Sequence, residues 1–295
     1  MLKKLTASYA LALIGLIVLL GSCAKEYESI ETTDDAKIQQ YNTANNLTVT
    51  KDSSGFYYQI INQGTGDFFL NTDSVLYHAS IKSLLNGTSY YTDPANGNFG
   101  TYVGYANNFN GTNIPAISTA MLALKPGGSV RVLLPSYMAF GRNGFPTINV
   151  PSNEVIDLLI TTMPEKKQAD LDDRLIREFI ASKGIAGMVK GPAGIYYVIS
   201  QPGTGTDPIN AGSTVTVKYA GRYLDGVVFD SSADGISLGL SSVIPGWRKI
   251  VPLLLKGGKV RMLVPSGEGY GTAGSSPIPA NAVLDFDVEV TEVTN

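Results

Sequence analysis

The chain has 295 residues, 44% of them hydrophobic and 16% charged, with a formal net charge of −3 and a sequence pI near 5.3. That is a globular composition with room for two domains of ordinary size, and an acidic balance without a basic stripe excludes nucleic acid as a partner. The single cysteine, Cys23, and the single histidine, His78, exclude an internal disulfide and a transition-metal site built from the usual ligands, so neither metal nor cofactor is expected.

At the N-terminus, Lys3 and Lys4 precede an apolar run from Ala7 to Leu20. The run is shorter than the ~20 residues a spanning helix needs and has the form of a secretory signal. It ends Leu19-Leu20-Gly21-Ser22-Cys23, which resembles the lipobox of bacterial lipoproteins. That resemblance implies lipidation of Cys23 as the new N-terminus, with each buried methylene of the acyl chains holding the membrane by ~0.8 kcal/mol. Residues 1–22 are accordingly read as a lipoprotein signal peptide and 23–33 as a lipidated tether. Loss of Lys3 and Lys4 with the signal takes the net charge from −3 to −5. Acidic residues just after the cysteine (Glu26, Glu28, Glu31) resemble surface-export signals of some Bacteroidetes lipoproteins. The expected location is the outer membrane, on its periplasmic or cell-surface face.

Residues 34–46 read as an amphipathic helix, with Ile38 and Tyr41 at helical spacing and Asp34 and Asp35 at the positive end of its dipole. Gly55-Phe56-Tyr57-Tyr58-Gln59-Ile60 and Gly64-Thr65-Gly66 follow. His78 lies in a run that reads as a strand and is taken as a surface or packing residue. The stretch Tyr90 to Asn113, rich in Tyr, Asn and Gly, is expected to be a long surface loop displaying Phe99, Tyr102, Tyr105 and Phe109. Lys125-Pro126-Gly127-Gly128-Ser129-Val130-Arg131 and Val150-Pro151-Ser152-Asn153 complete the first half.

The second half repeats this order. A helix is expected over 170–183, opened by acidic residues, with Leu175, Ile176, Phe179 and Ile180 on one face. Gly194-Ile195-Tyr196-Tyr197-Val198-Ile199, Gly203-Thr204-Gly205, Lys256-Gly257-Gly258-Lys259-Val260-Arg261 and Ile278-Pro279-Ala280-Asn281 echo the motifs above. The offset is 139 residues from Gly55 to Gly194 and 130 from Gly127 to Gly257, so the first copy carries nine extra residues between them. A period this long suits two globular domains, 34–164 and 165–295. A short helix is expected from about Gly246 to Leu254. In the last strand Val283, Leu284, Phe286, Val288 and Val290 form the core set, while Asp285, Asp287 and Glu289 alternate onto a solvated face. Gly269-Tyr270-Gly271-Thr272-Ala273-Gly274 satisfies the dinucleotide pattern G-x-G-x-x-G, but Pro277 and Pro279 follow and no helix can start there, so it reads as a loop.

Five motifs of the second half stand in one order: Tyr219-Ala220-Gly221, Val228-Phe229-Asp230-Ser231-Ser232, Val243-Ile244-Pro245-Gly246-Trp247, Gly269-Tyr270-Gly271, and Ile278 through Val288. Together they resemble the FK506-binding-protein (FKBP) family of peptidyl-prolyl isomerases, over about 195–293. The resemblance implies an α+β fold of two FKBP-like domains, each an antiparallel sheet wrapped around a short helix and each preceded by an N-terminal helix. It implies that Trp247 floors a proline pocket walled by Tyr219, Phe229, Val243, Ile244, Ile278 and Phe286. The Ile244 N–H and the Tyr270 hydroxyl would donate to substrate carbonyls, and Asp230, held by Tyr219, would polarise the reacting amide. Proline-containing polypeptide clients are the implied partners, folding outside the cytoplasm. The stretch from Asp230 to Ile244 is shorter than in compact members, and Ser275 stands where some carry histidine; both bear on substrate preference and rate.

Aligned on Gly87 with Gly226, the first copy has Ser80 for Tyr219, Tyr90 for Phe229 and Tyr91 for Asp230. Aligned on Gly127 with Gly257, it has Ile114 for Ile244, Ile117 for Trp247 and Phe140 for Tyr270, with Leu158 for Phe286. It is expected to be catalytically inactive, and to pack, bind client chains or form a homodimer. The alternative reading of the whole chain is a non-catalytic binding lipoprotein whose two bowls hold peptide, client chain or glycan.

Overall fold

The computed structural model describes residues 28–295, so Cys23 and the apolar run before it lie outside the described residues. Among the described residues no helix is long and apolar enough to cross a membrane. The first helix, α1 (Ile30–Ala44), begins four residues before Asp34, because Ser29 caps it by accepting the Thr32 N–H. Residues 30–33, expected in the tether, are therefore helical. The two aspartates sit in the second turn and have tasks other than complementing the dipole.

Strands β1 (Thr50–Lys51), β2 (Tyr57–Asn62), β3 (Ser74–Ser83), β4 (Ser89–Thr92) and β5 (Phe99–Tyr102) follow, then a hairpin of β6 (Asn108–Phe109) and β7 (Thr112–Asn113). Helix α2 (Ala116–Leu122), β8 (Ser129–Leu134) and β9 (Ile156–Thr162) close the first half. The second half runs α3 (Gln168–Lys183), β10 (Val189–Lys190), β11 (Tyr196–Gln201), β12 (Thr214–Tyr223), β13 (Val228–Gly239), α4 (Pro245–Ile250), β14 (Lys259–Val264) and β15 (Leu284–Thr294). The result is α+β: two antiparallel sheets, ordered β1-β2-β8-β9-β3-β4 with β5 also on β3, and β10-β11-β14-β15-β12-β13. Each sheet buries one face against its short helix, around Ile117 and Met121 of α2 in one case and Trp247 and Ile250 of α4 in the other.

The opposite face of each sheet is covered in part by the preceding helix. Ile38 of α1 packs on Tyr57, Leu133 and Val155, and Ile176 and Phe179 of α3 pack on Leu263 and Val283. One set of polar contacts seats both helices. The Asp34 carboxylate accepts the Ser136 N–H at 2.8 Å, and that of Asp172 accepts the Ser266 N–H at 2.7 Å. Asp35 accepts from the Tyr57 hydroxyl and pairs with Lys51, as Asp173 does with Tyr196 and Lys190. Burial pushes the Asp172 carboxyl up from its ordinary value, opposed by the bonds from Gln168 and Ser266.

That outer cover corrects the reading of Asp285. It does not face solvent: it is 1% exposed and takes the Arg261 guanidinium at 2.9 Å, with Arg222 at 3.3 Å. Alternation places Asp285 off the inner face as expected, but Arg261 lies over the Phe179 ring of α3 and closes that side to water. Arg131 and Asp157 make the equivalent pair in the first half, at 2.8 Å. Asp287 and Glu289 carry salt bridges to Arg222 and Lys259 nearer the surface.

Candidate active site

Tyr219, Gly221 and Tyr223 share the inner face of β12 by the two-residue period of a strand. Gly221 pairs with Phe286 on one side and with Asp230 on the other. A Cβ at Gly221 would stand 2.7 Å from both the Phe229 and Phe286 rings, so only glycine lets the two rings meet over the strand. They do so edge to face, with centroids 5.7 Å apart. Pro245 opens α4 at a position that needs no N–H donor, and the turn carries Trp247 beneath the sheet, 4% exposed. Its indole meets Tyr219 at 5.3 Å and Phe286 at 5.4 Å, both near perpendicular. Such pairs add about 0.5–1.5 kcal/mol each beyond the area they bury. The indole Nε1 is buried and has no acceptor among the described residues.

At the rim, the Tyr219 hydroxyl donates to the Asp230 carboxylate at 2.6 Å. Burial pushes the Tyr219 phenol well above its ordinary value, and the bond to Asp230 pushes it further. The Tyr270 phenol is pushed up too, by burial and then by the Asp230 charge, while its side remains partly open to solvent. Val243 and Ile244 are half-buried against the same core, and Ile278 is buried in it. Ile244 is the N-cap of α4, and among the described residues nothing accepts its N–H. The structure thus gathers the nine expected pocket residues around one aromatic floor that carries one carboxylate at its edge. The expected short helix divides into α4 and a 3-10 turn, Val251–Leu253, and within the Gly269–Gly274 loop Gly271–Ala273 forms a 3-10 turn.

One residue escaped the sequence reading. The Tyr223 hydroxyl donates to the Pro277 carbonyl at 3.0 Å and ties down the segment that ends in Ile278, while its ring lies 5.1 Å from Phe229. Its position four residues after Tyr219 on one strand was the available signal.

The first half has filled the equivalent space. Ile81 pairs with Leu158 as Gly221 pairs with Phe286, so Ile81 stands in the glycine position. By the same register Ala79, and not Ser80, matches Tyr219. The turn Leu84–Gly87 is one residue longer than Leu224–Gly226, which shifts an alignment made through the glycines. Ile81 and Ile117 are buried. The expected open loop also proves folded: Phe109 of the β6–β7 hairpin is 4% exposed, Phe99 lies in β5 and is half-buried, and Tyr102 and Tyr105 are exposed. The Phe109 ring meets Tyr91 at 5.0 Å and Phe140 at 6.3 Å, the residues standing where Asp230 and Tyr270 stand in the second half. The Tyr91 hydroxyl donates to Asp93, whose other oxygen accepts the Ala79 N–H at 2.7 Å.

Residues 205–291 match the sequence model of the family described as FKBP-type peptidyl-prolyl cis-trans isomerase. Among relatives, the protein named FKBP-type peptidyl-prolyl cis-trans isomerase FkpA of Aeromonas hydrophila is 37% identical over 138 residues, 45% of this chain and 51% of that one. The protein of the same name from Escherichia coli (strain K12) is 37% identical over 110 residues, 36% of this chain and 40% of that one. The chain thus spans about half the length of the relatives it matches. Among solved structures, a peptidyl-prolyl cis-trans isomerase from Pseudomonas syringae is 32% identical, with 43% of this chain and 96% of that one covered and a TM-score of 0.38.

Proposed function

We propose that the chain is a peptidyl-prolyl isomerase that assists the folding of exported proteins, with its second half catalytic and its first half not, a reading supported by the match of residues 205–291 to the model of the FKBP-type peptidyl-prolyl cis-trans isomerase family. The observation that carries this is the Tyr219–Asp230 hydrogen bond at the rim of the Trp247–Phe286–Phe229 floor. Rotation about an Xaa-Pro amide faces a barrier of ~18–20 kcal/mol that comes from resonance. The twisted amide has lost that resonance and is less polar than the planar one. An apolar bowl therefore favours it over the ground state, each ~1.4 kcal/mol of the difference being tenfold in rate.

In this reading the proline ring sits on Trp247, against Tyr219, Phe229, Val243, Ile278 and Phe286. The Ile244 N–H and the Tyr270 hydroxyl hold substrate carbonyls. Asp230, oriented by the Tyr219 hydroxyl, faces the carbon of the rotating amide. No nucleophile and no proton transfer are required. The same reading assigns 34–164 to a non-catalytic FKBP-like domain and 165–295 to the isomerase. Exposed Phe68, Leu70, Tyr102 and Tyr105 support binding of a client chain or a second copy by the first domain. Attachment to the outer membrane through a lipid on Cys23, on either face, rests on the sequence of the signal alone.

The test is proline isomerisation in a short peptide with a cis-populated Xaa-Pro bond. Acceleration by the wild-type chain, lost on Asp230→Ala with Tyr270→Phe and kept on Ile117→Ala, is the expected pattern. A folded chain that gives no acceleration would leave binding without catalysis. Acyl label on Cys23 and globomycin-sensitive processing are expected of the anchor; unchanged precursor size on treatment removes it.

A further inference from the structure

The segment that supplies Ile278 to the pocket is held from outside by the other half of the chain. Between β4 and β5 the pairing with β3 is interrupted by residues 93–98. The β12–β13 ladder is interrupted at the matching place by only 233–235. Counted between the ladder positions Thr92 and Tyr102 against Ser231 and Gly239, the first half is two residues longer here. The lengthened tip reaches the second half at three points.

The Asn98 carbonyl accepts from Asn281 Nδ2 at 2.9 Å, a buried bond. The Asn98 amide exchanges two bonds with Gln168 at the start of α3, at 2.9 and 3.1 Å. Gln168 continues to Asp172 at 2.8 Å, and Asp172 takes both the N–H and the hydroxyl of Ser266. Gly97 lies against the Pro279 ring and the Ala280 backbone so closely that a Cβ would stand 2.5 Å from the Ala280 carbonyl oxygen. Asn96 donates to the Asp225 carboxylate at 2.7 Å, in the turn that leads into Phe229 and Asp230. Asn281 in turn donates its N–H to the Gly271 carbonyl, next to Tyr270. The contacts therefore fall on both arms of the bowl, the Ile278–Asn281 arm and the arm that carries Phe229 and Asp230. Residues 272–277, apart from half-buried Gly274, are solvent-exposed, so the arm ending in Ile278 has little packing of its own on that side.

We propose that the loop 93–98 of the first half is a positioning element for the proline pocket of the second, setting the placement of Ile278, Tyr270 and Asp230 through Asn281, Pro279 and Asp225. Its consequence for catalysis rests on the isomerase reading; its geometry does not. The non-catalytic half then has a task that requires no client and no second copy: it completes the wall of its neighbour's site. Loss of the Gly97 and Asn281 contacts falls on the Ile278–Asn281 arm, and so on substrate capture more than on the rotation step, because that wall selects the bound geometry while the floor, and the carboxylate on the other arm, act on the twisted amide.

The experiment uses the full chain with Gly97→Val, which adds bulk at the contact, and Asn281→Gly, which keeps the left-handed backbone at φ 61° and removes only the side-chain bond. Trp247 is the only tryptophan of the chain, so its emission and its quenching by acrylamide report the pocket floor without any substrate. Expected are a quenching constant raised about twofold or more in both variants, and a KM for the proline peptide raised about fivefold with kcat within about twofold. Folded variants with unchanged quenching and unchanged KM overturn the proposal. If Gly97→Val does not fold, Asn281→Gly decides alone. If wild type shows no acceleration, the isomerase reading falls, and quenching by itself upholds or overturns the positioning role.

Discussion

Where Gly221 lets two phenyl rings close over β12, the first half carries Ile81, and where Tyr270 stands at an open rim, Phe140 is covered by Phe109. The rim carboxylate has also moved. In the second half it belongs to Asp230 on β13 and takes a hydroxyl from the neighbouring strand; in the first it belongs to Asp93, two residues further along, and takes the hydroxyl of Tyr91 and a backbone N–H. Yet strand order, the seated helices and the Arg–Asp pair on the outer face are the same in both. The comparison teaches that frame and bowl are held by different residues. A bowl can be closed without change to the frame, provided its volume is filled; here a branched side chain and an inserted hairpin fill it.

The strongest way to break the comparison is to empty the filled bowl. Phe109→Ala removes a buried ring packed on Tyr91, Phe99 and Phe140. It is expected to destabilise the first half by about 3–5 kcal/mol in denaturant unfolding. It should confer no isomerase activity there, since neither an aspartate nor a tryptophan stands at the required positions. A loss under ~1 kcal/mol would mean that the hairpin is not a structural plug.

The converse change makes the second bowl resemble the first. Gly221→Ile places atoms inside the contact of Phe229 and Phe286. Overpacking of this kind costs about 1–3 kcal/mol. The larger signal should be catalytic, because both displaced rings are walls of the proposed pocket: acceleration of proline isomerisation falls beyond detection while the fold, followed by circular dichroism, is kept. Asp230→Ala alone is milder. It leaves the apolar floor intact and is expected to lower kcat/KM about tenfold, or ~1.4 kcal/mol, with Tyr219→Phe costing less because the carboxylate remains. Equal losses from the two would mean that orientation by Tyr219, and not charge, is what Asp230 contributes.

How far the sequence carried these conclusions differs from residue to residue. Leu284, Phe286, Val288 and Val290 were legible as core because a strand's alternation is local. Trp247 was legible because Pro245-Gly246 ahead of it marks a helix start. Asp285 was misread because local alternation tells which face a residue occupies and not what covers that face; α3 and Arg261 arrive from elsewhere in the chain. Ala79 was missed because one extra residue in a turn slides a strand by one position and reverses its faces. The plug by Phe109 and the reach of Asn98 to Asn281 are contacts across 31 and 183 residues, for which no local pattern exists.

The helix seats sharpen the comparison at its finest grain. Asp35 and Asp173 occupy the same place, and each takes a lysine and a tyrosine hydroxyl. Asp173 has one partner more, Arg177 one turn on in α3, at 2.9 Å. The Lys190 bond and, after it, those of Tyr196 and Arg177 outweigh burial and hold the Asp173 carboxyl down to about 2; Asp35 is lowered by Lys51 and Tyr57 alone. A carboxyl depressed by folding contributes stability that is fully present above its unfolded value near 3.8 and is lost as pH falls through about 2. Asp173→Asn should therefore lower stability by about 1 kcal/mol at neutral pH, after discounting for solvent at a partly exposed ion pair. Asp35→Asn should cost less, and the gap between the two variants should close as the denaturant midpoints are followed down to about pH 2. A gap that persists in acid would trace the difference to packing of the two helices and not to charge.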